Sequence, residues 1–473
     1  MISPLLTDLY QLTMAYGYWK LGMHERPAVF HQLFRKHPFQ SNYAVAAGLA
    51  NAIDFLENWH FSEEDVHYLE GLRAPNGSPL FAEKFLKYLQ ELSFSCDIDA
   101  IPEGTLIFPH EPLLRVTGPL LQGQLLESTL LNIINFQTLI ATKATRVCQA
   151  ALGEPVLEFG LRRAQGPDGA LSASRAAFIG GCVATSNVLA GKLYGIPVSG
   201  THAHSWVTAF PDEMSAFAAY AEVMPHNCVL LVDTYDTVQG IKNAIEIGKK
   251  LKAEGAELRA IRLDSGDLAK LSITARHLLD AAGFQHTKII ASNSLDEYVI
   301  QQLKAQGAKI SIWGVGTHLA TAYDHPALDG VYKLSALQDE SGVWEYKLKL
   351  SEEAVKISNP GLHQVRRFMR DQHPVLDVIF DFQLGIEDSF KAISLEAPHS
   401  SFTLGQHDHS IDLLQPIFRQ GKLVYKKETI QEMRARAQYQ VSHFLKLHRN
   451  AIYPVGLENS LHQLKQRLIN QYE

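Results

Sequence analysis

The chain is poor in cysteine, in basic charge and in long apolar runs, and each shortage excludes a class of protein. Only four of its 473 residues are cysteines, and none forms a CxxC pair, which argues against a disulfide framework or a zinc site. The formal net charge is −7, whereas nucleic-acid binding relies on basic patches. No apolar run reaches the roughly 18 residues that a membrane span needs. We therefore expect a cytoplasmic protein that binds neither nucleic acid nor membrane.

Several signature motifs of nucleotide and hydrolase chemistry are also missing. The sequence has no GxxxxGK[ST], no complete GxGxxG, no HExxH and no GxSxG. A nucleotide, if one is used, is therefore not held by a standard P-loop or Rossmann turn. The hydrophobic share of 46% is ordinary for a globular protein, and the length indicates about two or three structural units.

The middle of the chain alternates short β-rich runs with helical patterns, which predicts parallel βα units. A glycine ends each of three predicted helices, Thr237–Ala253, Leu268–Ala282 and Leu295–Gln306, and Ser294 with Glu297 predicts a capping box at the start of the third. The predicted strands are Val156–Phe159, Ile196–Val198, Cys228–Val232, Leu258–Leu263, Lys288–Ala291 and Lys309–Trp313.

Polar residues end nearly every one of these strands. That distribution favours a barrel, whose βα loops converge on one site, over an open sheet with a single switch point. The flanks differ, because residues 94–121 and the segment after Val331 have the punctuation of antiparallel strands. We expect an irregular (β/α) barrel at residues 126–344 and an α+β domain built from both chain ends, 1–125 and 345–473.

Two strand-end segments have the residue types of an anion site. Gly314, Gly316 and Thr317 offer close backbone approach and a hydroxyl, although an isolated turn of this kind is more often without a ligand. Arg262 and Asp264 stand two apart on one face of a strand. Arg262 can grip a carboxylate or phosphate with two hydrogen bonds, and Asp264 can face Mg²⁺ or hydroxyl groups. The alternative is an internal ion pair.

Two further segments place reactive side chains near predicted strands. His202 and His204 lie in a loop rich in Gly, Ser and Thr, where metal ligation and phosphate acceptance both remain open. Glu158 lies in the first predicted strand and is followed by Arg162 and Arg163, each of which is either an anion clamp or an ordinary surface arginine.

In this order, the segments LEFGLRRAQGPDG, SGTHAHSWV, IRLDSGDL and GVGT resemble nicotinate phosphoribosyltransferases. The opening TDLYQLTMAYGYW and the later HQLFRKHPF do so too, and the likeness covers roughly residues 3 to 345. It implies a type II phosphoribosyltransferase barrel with an open-sandwich second domain, in a homodimer with shared sites. It also implies synthesis of nicotinate mononucleotide and diphosphate from nicotinate and phosphoribosyl diphosphate. That step of NAD salvage is coupled to ATP as co-substrate, with Mg²⁺ as cofactor.

Roles follow from the resemblance position by position. Tyr10, Thr201 and Arg262 are expected to contact nicotinate, and Thr317 the phosphoribosyl phosphate. His204 is expected to be the transiently phosphorylated histidine, with Asp264 also catalytic. Lining roles are expected for a further group of substrate-binding positions: Glu158, Arg162, Arg163, Asn293, Gly314 and Gly316. The resemblance assigns no role to His202 and names no metal ligands.

Three alternatives stay open at this point. Nicotinamide could be the base, as in the related nicotinamide enzyme, or the chain could be a degenerate barrel that only senses nicotinate. A barrel glycosidase would use Glu158 and Asp264 as paired carboxylates, about 5–9.5 Å apart.

Overall fold

The computed structural model describes residues 2–353, 356–386, 391–395, 400–403, 409–448 and 452–471. The chain divides into two compact units, Met1–Leu139 with Ala327–Glu473, and Ile140–Pro326. Within the described ranges, no helix has the length and hydropathy that crossing a bilayer demands. The domain boundaries expected at 125/126 and 344/345 stay a prediction, because this division rests on contacts and not on independent folding.

The N-terminal part of the first unit alternates helices with short strands. Its elements are α1 (Leu9–Lys20), β1 (Pro27–Leu33), β2 (Ala44–Val45), α2 (Leu49–Glu57), α3 (Glu63–Glu70), α4 (Glu83–Glu91), β3 (Asp97–Ala100), β4 (Leu106–Ile107), β5 (Leu114–Pro119), α5 (Leu120–Leu125) and the start of α6 (Glu127–Ala150), with a 3₁₀ turn at Pro38–Gln40.

The second unit repeats strand and helix. Its elements are β6 (Val156–Glu158), α7 (Gly166–Ile179), β7 (Ala184–Thr185), α8 (Val188–Tyr194), α9 (His204–Thr208), α10 (Glu213–Val223), β8 (Cys228–Leu231), α11 (Thr237–Ala253), β9 (Leu258–Leu263), α12 (Leu268–Ala281), β10 (Lys288–Ala291), α13 (Glu297–Ala305), β11 (Ile312–Val315) and α14 (Thr317–Ala320), with 3₁₀ turns at Leu161–Arg163 and Pro225–Asn227.

The C-terminal part of the first unit is mainly β. Its elements are β12 (Val331–Gln338), β13 (Trp344–Tyr346), β14 (His363–Arg370), β15 (His373–Asp381), β16 (Lys391–Ser394), β17 (Ser401–Thr403), β18 (His409–Asp412), β19 (Gln415–Arg419), β20 (Lys422–Leu423), α15 (Ile430–His448), β21 (Val455–Glu458) and α16 (Asn459–Asn470).

The second unit is an irregular parallel barrel, as expected. Six strands pair in the order β7-β6-β11-β10-β9-β8, and every pairing is parallel. Apolar side chains of its strands, including Val229, Ala260 and Ile290, pack together as one core cluster. The curl of the sheet brings the carboxyl ends of all these strands to one edge, which is where a barrel carries its site.

The first unit joins the two ends of the chain in one sheet. Seven strands run in the order β13-β12-β1-β5-β3-β19-β20, and β1 lies between β12 and β5 in antiparallel pairings. A second sheet has the order β17-β16-β21-β15-β14-β18, and β2 pairs with β4. The second domain predicted from both chain ends is therefore confirmed, as is the hairpin at Asp339–Gly342, where Gln338 faces Trp344.

Three local predictions need correction. The run Ile196–Val198 forms only a single bridge, between Val198 and Thr185, and β11 begins three residues later than its predicted run, which began at Lys309. The capping box at Ser294 is wrong, because Asp296 caps α13 by accepting from the Tyr298 and Val299 amides. Glu297 instead turns inward and pairs with Lys143 at 2.7 Å. The Glu297 carboxylate, which a capping box would need, is therefore paired with the buried Lys143 ammonium.

Candidate active site

Polar side chains meet where three neighbouring strands of the second unit end. Asp233 follows β8, Arg262 and Asp264 lie at the end of β9, and Ser292 follows β10. Strands β8, β9 and β10 are adjacent in the sheet, so their carboxyl ends present these groups side by side. The strand-end cluster that the sequence predicted therefore exists as one contiguous patch.

Arg262 is the centre of this patch. Its Nε donates to Ser292 Oγ at 2.8 Å, one Nη to Thr201 Oγ1 at 3.0 Å and the other Nη to Asp264 Oδ1 at 2.9 Å. The guanidinium also lies over the Phe159 ring, 5.6 Å from its centroid. These contacts use three of the five N–H donors of an arginine, which leaves one on each terminal nitrogen. A pair of parallel donors is the fork that a carboxylate accepts.

Two carboxylates lie next to this fork. Asp233 Oδ2 accepts from the Asp264 amide at 2.8 Å and from Ser265 Oγ at 2.6 Å, so the end of β8 fixes the backbone that carries Asp264. Asp233 Oδ1 is buried and has no hydrogen-bond partner within the described part of the chain. An unpaired buried carboxylate oxygen is costly, so this one is suited to a cation or a donor brought by a ligand.

The two histidines of the loop before α9 have different surroundings. His202 is buried: the Leu231 amide donates to its Nε2 at 3.1 Å, and its Nδ1 lies 3.2 Å from the Ala203 carbonyl. Burial lowers the pKa of His202 below its usual value. Both ring nitrogens are thus engaged by backbone, and the hydrogen bond to Leu231 holds the loop against β8.

His204 is the more open of the two rings. Its side chain is 43% exposed, and its Nε2 lies 4.0 Å from Asp233 Oδ1 and 3.8 Å from Asp264 Oδ2. Its Nδ1 lies 3.1 Å from the Thr234 hydroxyl. When Nδ1 carries the proton and donates to Thr234, the Nε2 lone pair has no hydrogen-bond partner among the described residues and can react with an incoming group.

The end of β11 and the turn after it leave little room for side chains at two glycine positions. A Cβ on Gly314 would come within 2.7 Å of the Phe159 ring, and one on Gly316 within 3.0 Å of the Phe159 carbonyl. The backbone of this turn therefore packs directly on the residue whose ring supports Arg262. Thr317 follows as the half-buried first residue of α14. The structure thus brings the glycine turn and the Arg262 patch together.

Both carboxylate oxygens of Glu158 accept hydrogen bonds from within the second unit. It is 1% exposed, one oxygen accepts from the Gly160 amide, and the other accepts from Ser174 Oγ at 2.9 Å and Thr185 Oγ1 at 2.6 Å. Both oxygens are engaged, so the carboxylate holds the end of β6 against α7 and β7. Its assignment as a substrate contact stays a prediction that this geometry does not favour.

The remaining predicted residues are exposed. Arg162 and Arg163 protrude from the 3₁₀ turn after β6, and Asn293 follows β10 with a φ of +91°. A positive φ in a residue other than glycine is uncommon and clusters at functional loops. Tyr10 lies on α1 in the first unit and is 49% exposed. Their assigned contacts stay predictions.

Sequence reasoning gave no role to several residues that build the patch. Ser292 and Thr234 are single hydroxyl residues after strands, and only the structure shows that they orient Arg262 and His204. Phe159 was read as the last apolar residue of a strand. Asp233 carried the clearest available signal, since it directly follows a buried strand.

The curled parallel sheet and its strand-end patch define the class: the chain is a type II phosphoribosyltransferase barrel, an irregular (β/α)-barrel enzyme. Residues 155–353 match the nicotinate phosphoribosyltransferase (NAPRTase) family, residues 5–135 its N-terminal domain and residues 362–465 its C-terminal domain. The chain belongs to the nicotinate phosphoribosyltransferase family.

Individual relatives agree over almost the whole length. The nicotinate phosphoribosyltransferase of Bacillus subtilis (strain 168) is 43% identical over 483 residues, covering 99% of this chain and 97% of the relative. The crystal structure of human nicotinic acid phosphoribosyltransferase is similar with a TM-score of 0.85 at 32% identity, covering 98% and 99% of the two chains. The nicotinate-nucleotide pyrophosphorylase of Pyrococcus furiosus shares the fold, with a TM-score of 0.68 at 23% identity over 93% and 95%.

A methyl group at Gly314 should loosen the site without touching its polar atoms. The new Cβ of Gly314→Ala would overlap the Phe159 ring, and overpacking of this kind costs about 1–3 kcal/mol. Thermal unfolding of the variant should therefore occur at a lower temperature. The matched control is Gly169→Ala in α7, where a Cβ meets nothing within 4 Å and helix propensity favours alanine. Equal unfolding temperatures for the two variants would contradict the packing of Gly314 on Phe159.

Proposed function

We propose that this chain synthesises nicotinate mononucleotide and diphosphate from nicotinate and 5-phosphoribosyl 1-diphosphate, with ATP hydrolysed in the same cycle. This is the reaction that returns nicotinate to NAD. Full-length similarity to nicotinate phosphoribosyltransferases supports the reaction. The geometric observation that carries it is the Arg262 fork, with two N–H donors left over for a carboxylate such as that of nicotinate.

The transfer itself needs no general base. The ring nitrogen of nicotinate is unprotonated near neutral pH, and its lone pair forms the new bond to the ribose carbon as the bond to diphosphate breaks. The electron pair of the broken bond leaves with diphosphate. The protein then has to hold the ring in line and stabilise the leaving charge. Arg262 and Thr201 would position the base, since they are hydrogen-bonded to each other at 3.0 Å.

The phosphate groups would lie toward the glycine turn. Gly314 and Gly316 allow close approach of the backbone, and Thr317 adds a hydroxyl donor. Arg162 and Arg163 are exposed on the loop that follows β6, the strand that pairs with β11. Two cations and a glycine turn at adjacent strand ends suit the charge of a diphosphate.

Magnesium fits the carboxylate side of the patch. The unpartnered Asp233 Oδ1 and the partly exposed Asp264 are two oxygen donors, the number that Mg²⁺ commonly takes from protein when phosphates and water complete its shell. Within the described residues, no group of three or more His, Cys, Asp or Glu could hold a metal ion by itself. When bound, the ion would supply positive charge between these carboxylates and the substrate phosphates.

His204 is the proposed phosphate acceptor. Its Nε2 has no hydrogen-bond partner among the described residues and lies near both carboxylates, whereas both nitrogens of His202 are engaged by backbone. Attack of Nε2 on the γ-phosphate of ATP forms the N–P bond and breaks the bond to ADP. Water later cleaves the N–P bond. A phosphoryl group on His204 would lie beside Asp264, so it can alter how the patch binds diphosphate.

One assay separates this proposal from its alternatives. Purified protein is given labelled nicotinate or labelled nicotinamide, with phosphoribosyl diphosphate and Mg²⁺, in the presence and absence of ATP. The proposal predicts mononucleotide from nicotinate and stimulation by ATP. A preference for nicotinamide, or nicotinate binding without product, would replace it. The glycosidase alternative is disfavoured, because Glu158 is buried with both oxygens engaged.

Arg262→Ala should weaken use of nicotinate far more than use of nicotinamide. Removing the fork leaves the nicotinate carboxylate unpaired in the site, which costs about 2–5 kcal/mol in kcat/KM. Arg262→Lys should be nearly as poor, because a point charge cannot reproduce the planar fork. The measurement is kcat/KM for each base. Equal losses for nicotinate and nicotinamide would remove Arg262 from the carboxylate.

His204→Ala should abolish ATP hydrolysis and the response to ATP, yet keep slow synthesis at high phosphoribosyl diphosphate. The transfer to nicotinate does not chemically require the histidine, whereas the phosphoenzyme does. The matched control is His202→Ala, which removes the neighbouring ring and should keep the ATP response at reduced stability. Acid-labile γ-phosphate on the His204→Ala protein, or an unchanged ATP response, would show that another residue accepts the phosphate.

Tyr10 is proposed to reach the site of a second subunit in a homodimer. It is exposed on α1, outside the barrel, yet the resemblance gives it a contact with the base. Inactive Tyr10→Ala and inactive Arg262→Ala chains, refolded together, should regain activity, since mixed dimers carry one intact site. If mixtures that still dimerise show no activity, the sites are not shared in trans.

A further inference from the structure

A cleft lies wholly within the first unit, and no residue of the second unit lines it. It has a volume of about 870 Å³, within the range of about 300–1,000 Å³ of small-molecule sites. Its walls come from residues 35–37 and 108–110, from the segment Ile357–Asn359, from β16 and from α16. None of these residues takes part in the proposed reaction, and the cleft is large enough for a ligand of its own.

The charge that lines this cleft is of one sign. Every ionisable side chain of Arg, Lys, His, Asp or Glu type along its described walls is basic: Arg35, Lys36, His37, His110, His462 and Lys465. Arg35, Lys36 and Lys465 supply positive charge, whereas burial lowers the pKa values of the three histidines. A lining with cations and no described acidic side chain raises the local concentration of anions. Glu353, an acidic residue that interacts electrostatically with Arg35 and Lys36, is outside the lining and is paired with Lys356 at 2.5 Å.

Lys465 is the most telling of these groups. Its Nζ donates to Asn359 Oδ1 at 2.9 Å and to the Ile357 carbonyl at 3.3 Å, and both acceptors are neutral. Burial lowers the pKa of Lys465 to about 8, because these oxygens do not offset the lost hydration. A partly buried ammonium normally has a carboxylate partner. No carboxylate of the described residues pairs with Lys465, so the cleft has room for an anionic partner.

His37 supplies a second polar atom without a partner. Its Nδ1 is buried and makes no hydrogen bond within the described ranges, and the residue lines the same cleft. Burial lowers the pKa of His37 to about 4, so the ring is neutral at physiological pH. A neutral imidazole can donate to or accept from a bound molecule without adding charge.

The rest of the wall is apolar and partly aromatic. Ile393, Phe402 and Leu457 contribute aliphatic and aromatic surface, and the rings of Phe108 and Tyr453 stack with centroids 4.1 Å apart. Apolar walls with a few convergent polar groups are the usual composition of a small-molecule site. A bare inorganic ion would use only the cations and leave these walls wet.

We propose that this cleft binds a small organic anion, with its acid group at Lys465 and a flat apolar body along Ile393, Phe402 and Leu457. The site goes beyond the proposed reaction, because it uses no residue of the barrel patch. The alternative is that Lys465 serves only to tie α16 to the Ile357–Asn359 segment. The two readings differ in whether the charge on Lys465 controls binding of an anion.

The test uses the fluorescence of 8-anilinonaphthalene-1-sulfonate, a flat aromatic anion, titrated into the full chain. We expect saturable binding at one such site per chain. Lys465→Gln should weaken it at least ten-fold, the effect of losing one charge-assisted hydrogen bond. The matched control, Arg467→Gln, lies two residues away on α16 but is exposed and outside the cleft, and should change the affinity less than two-fold. Absence of saturable binding, or equal affinity in Lys465→Gln, would overturn the proposal.

Two further measurements on the unmodified chain test the proposal even if the Lys465→Gln variant does not fold. Benzoate should displace the probe at least ten-fold better than benzamide, which has the same shape without the charge. In the unmodified chain, affinity should fall as pH rises through about 8, because Lys465 loses its proton there. The groups that face it electrostatically are His110, His363 and His462, and all three have pKa values lowered by burial. Equal displacement by benzoate and benzamide would contradict a charged anchor.

Discussion

The rest of the site depends on the hydrogen bonds that fix the Arg262 guanidinium. Three side chains fix its hydrogen-bonding groups: Thr201 from the loop before α9, Asp264 after β9 and Ser292 after β10. Phe159 supports its face. A free arginine has several rotatable bonds, and ordering it on ligand binding costs side-chain entropy. Because folding already fixes the fork, a ligand that binds it does not have to order the arginine side chain, and less conformational entropy is lost on binding.

The residues that contact Phe159 and Asp264 also help to hold the Arg262 fork in place. A side chain at Gly314 would overlap the Phe159 ring, and one at Gly316 would lie in tight contact with the Phe159 carbonyl. Asp233 holds the Asp264 amide and so keeps that carboxylate against Arg262. The patch therefore has a cationic side at Arg262 and an anionic side at Asp233 and Asp264, with His204 beside the carboxylates.

The sequence predicted the regular elements of the barrel closely and its irregular ones poorly. Thr237–Ala253, Leu258–Leu263 and Lys288–Ala291 have the predicted bounds, because each has a full apolar period and a glycine or polar residue at its end. The run Ile196–Val198 looked equally β-rich but makes only one bridge. Its neighbours across the sheet decide that outcome, and local residue preference does not contain them.

Contacts between residues distant in the sequence also limited what could be predicted of the site. Arg262, Asp264 and the two histidines could be singled out because charged residues at strand ends are chemically conspicuous. The different surroundings of His202 and His204 could not be, since they depend on which backbone amide reaches which ring. Glu158 shows the same limit: the resemblance predicts a lining role for it, and that role stays a prediction, but hydroxyls of Ser174 and Thr185 engage one of its oxygens. Those hydroxyls belong to α7 and β7, and only the fold shows that both reach Glu158.

The role of the Arg262 fork can be tested by a crystal structure of the chain with bound nicotinate. Both carboxylate oxygens should lie within about 2.7–3.1 Å of the two terminal nitrogens of Arg262, a hydrogen-bonding distance. The contacts of Arg262 with Thr201, Asp264 and Ser292 should be unchanged from those described, because the fork is already in place. A nicotinate whose carboxylate lies away from Arg262, or an Arg262 that leaves these partners to reach it, would contradict the account.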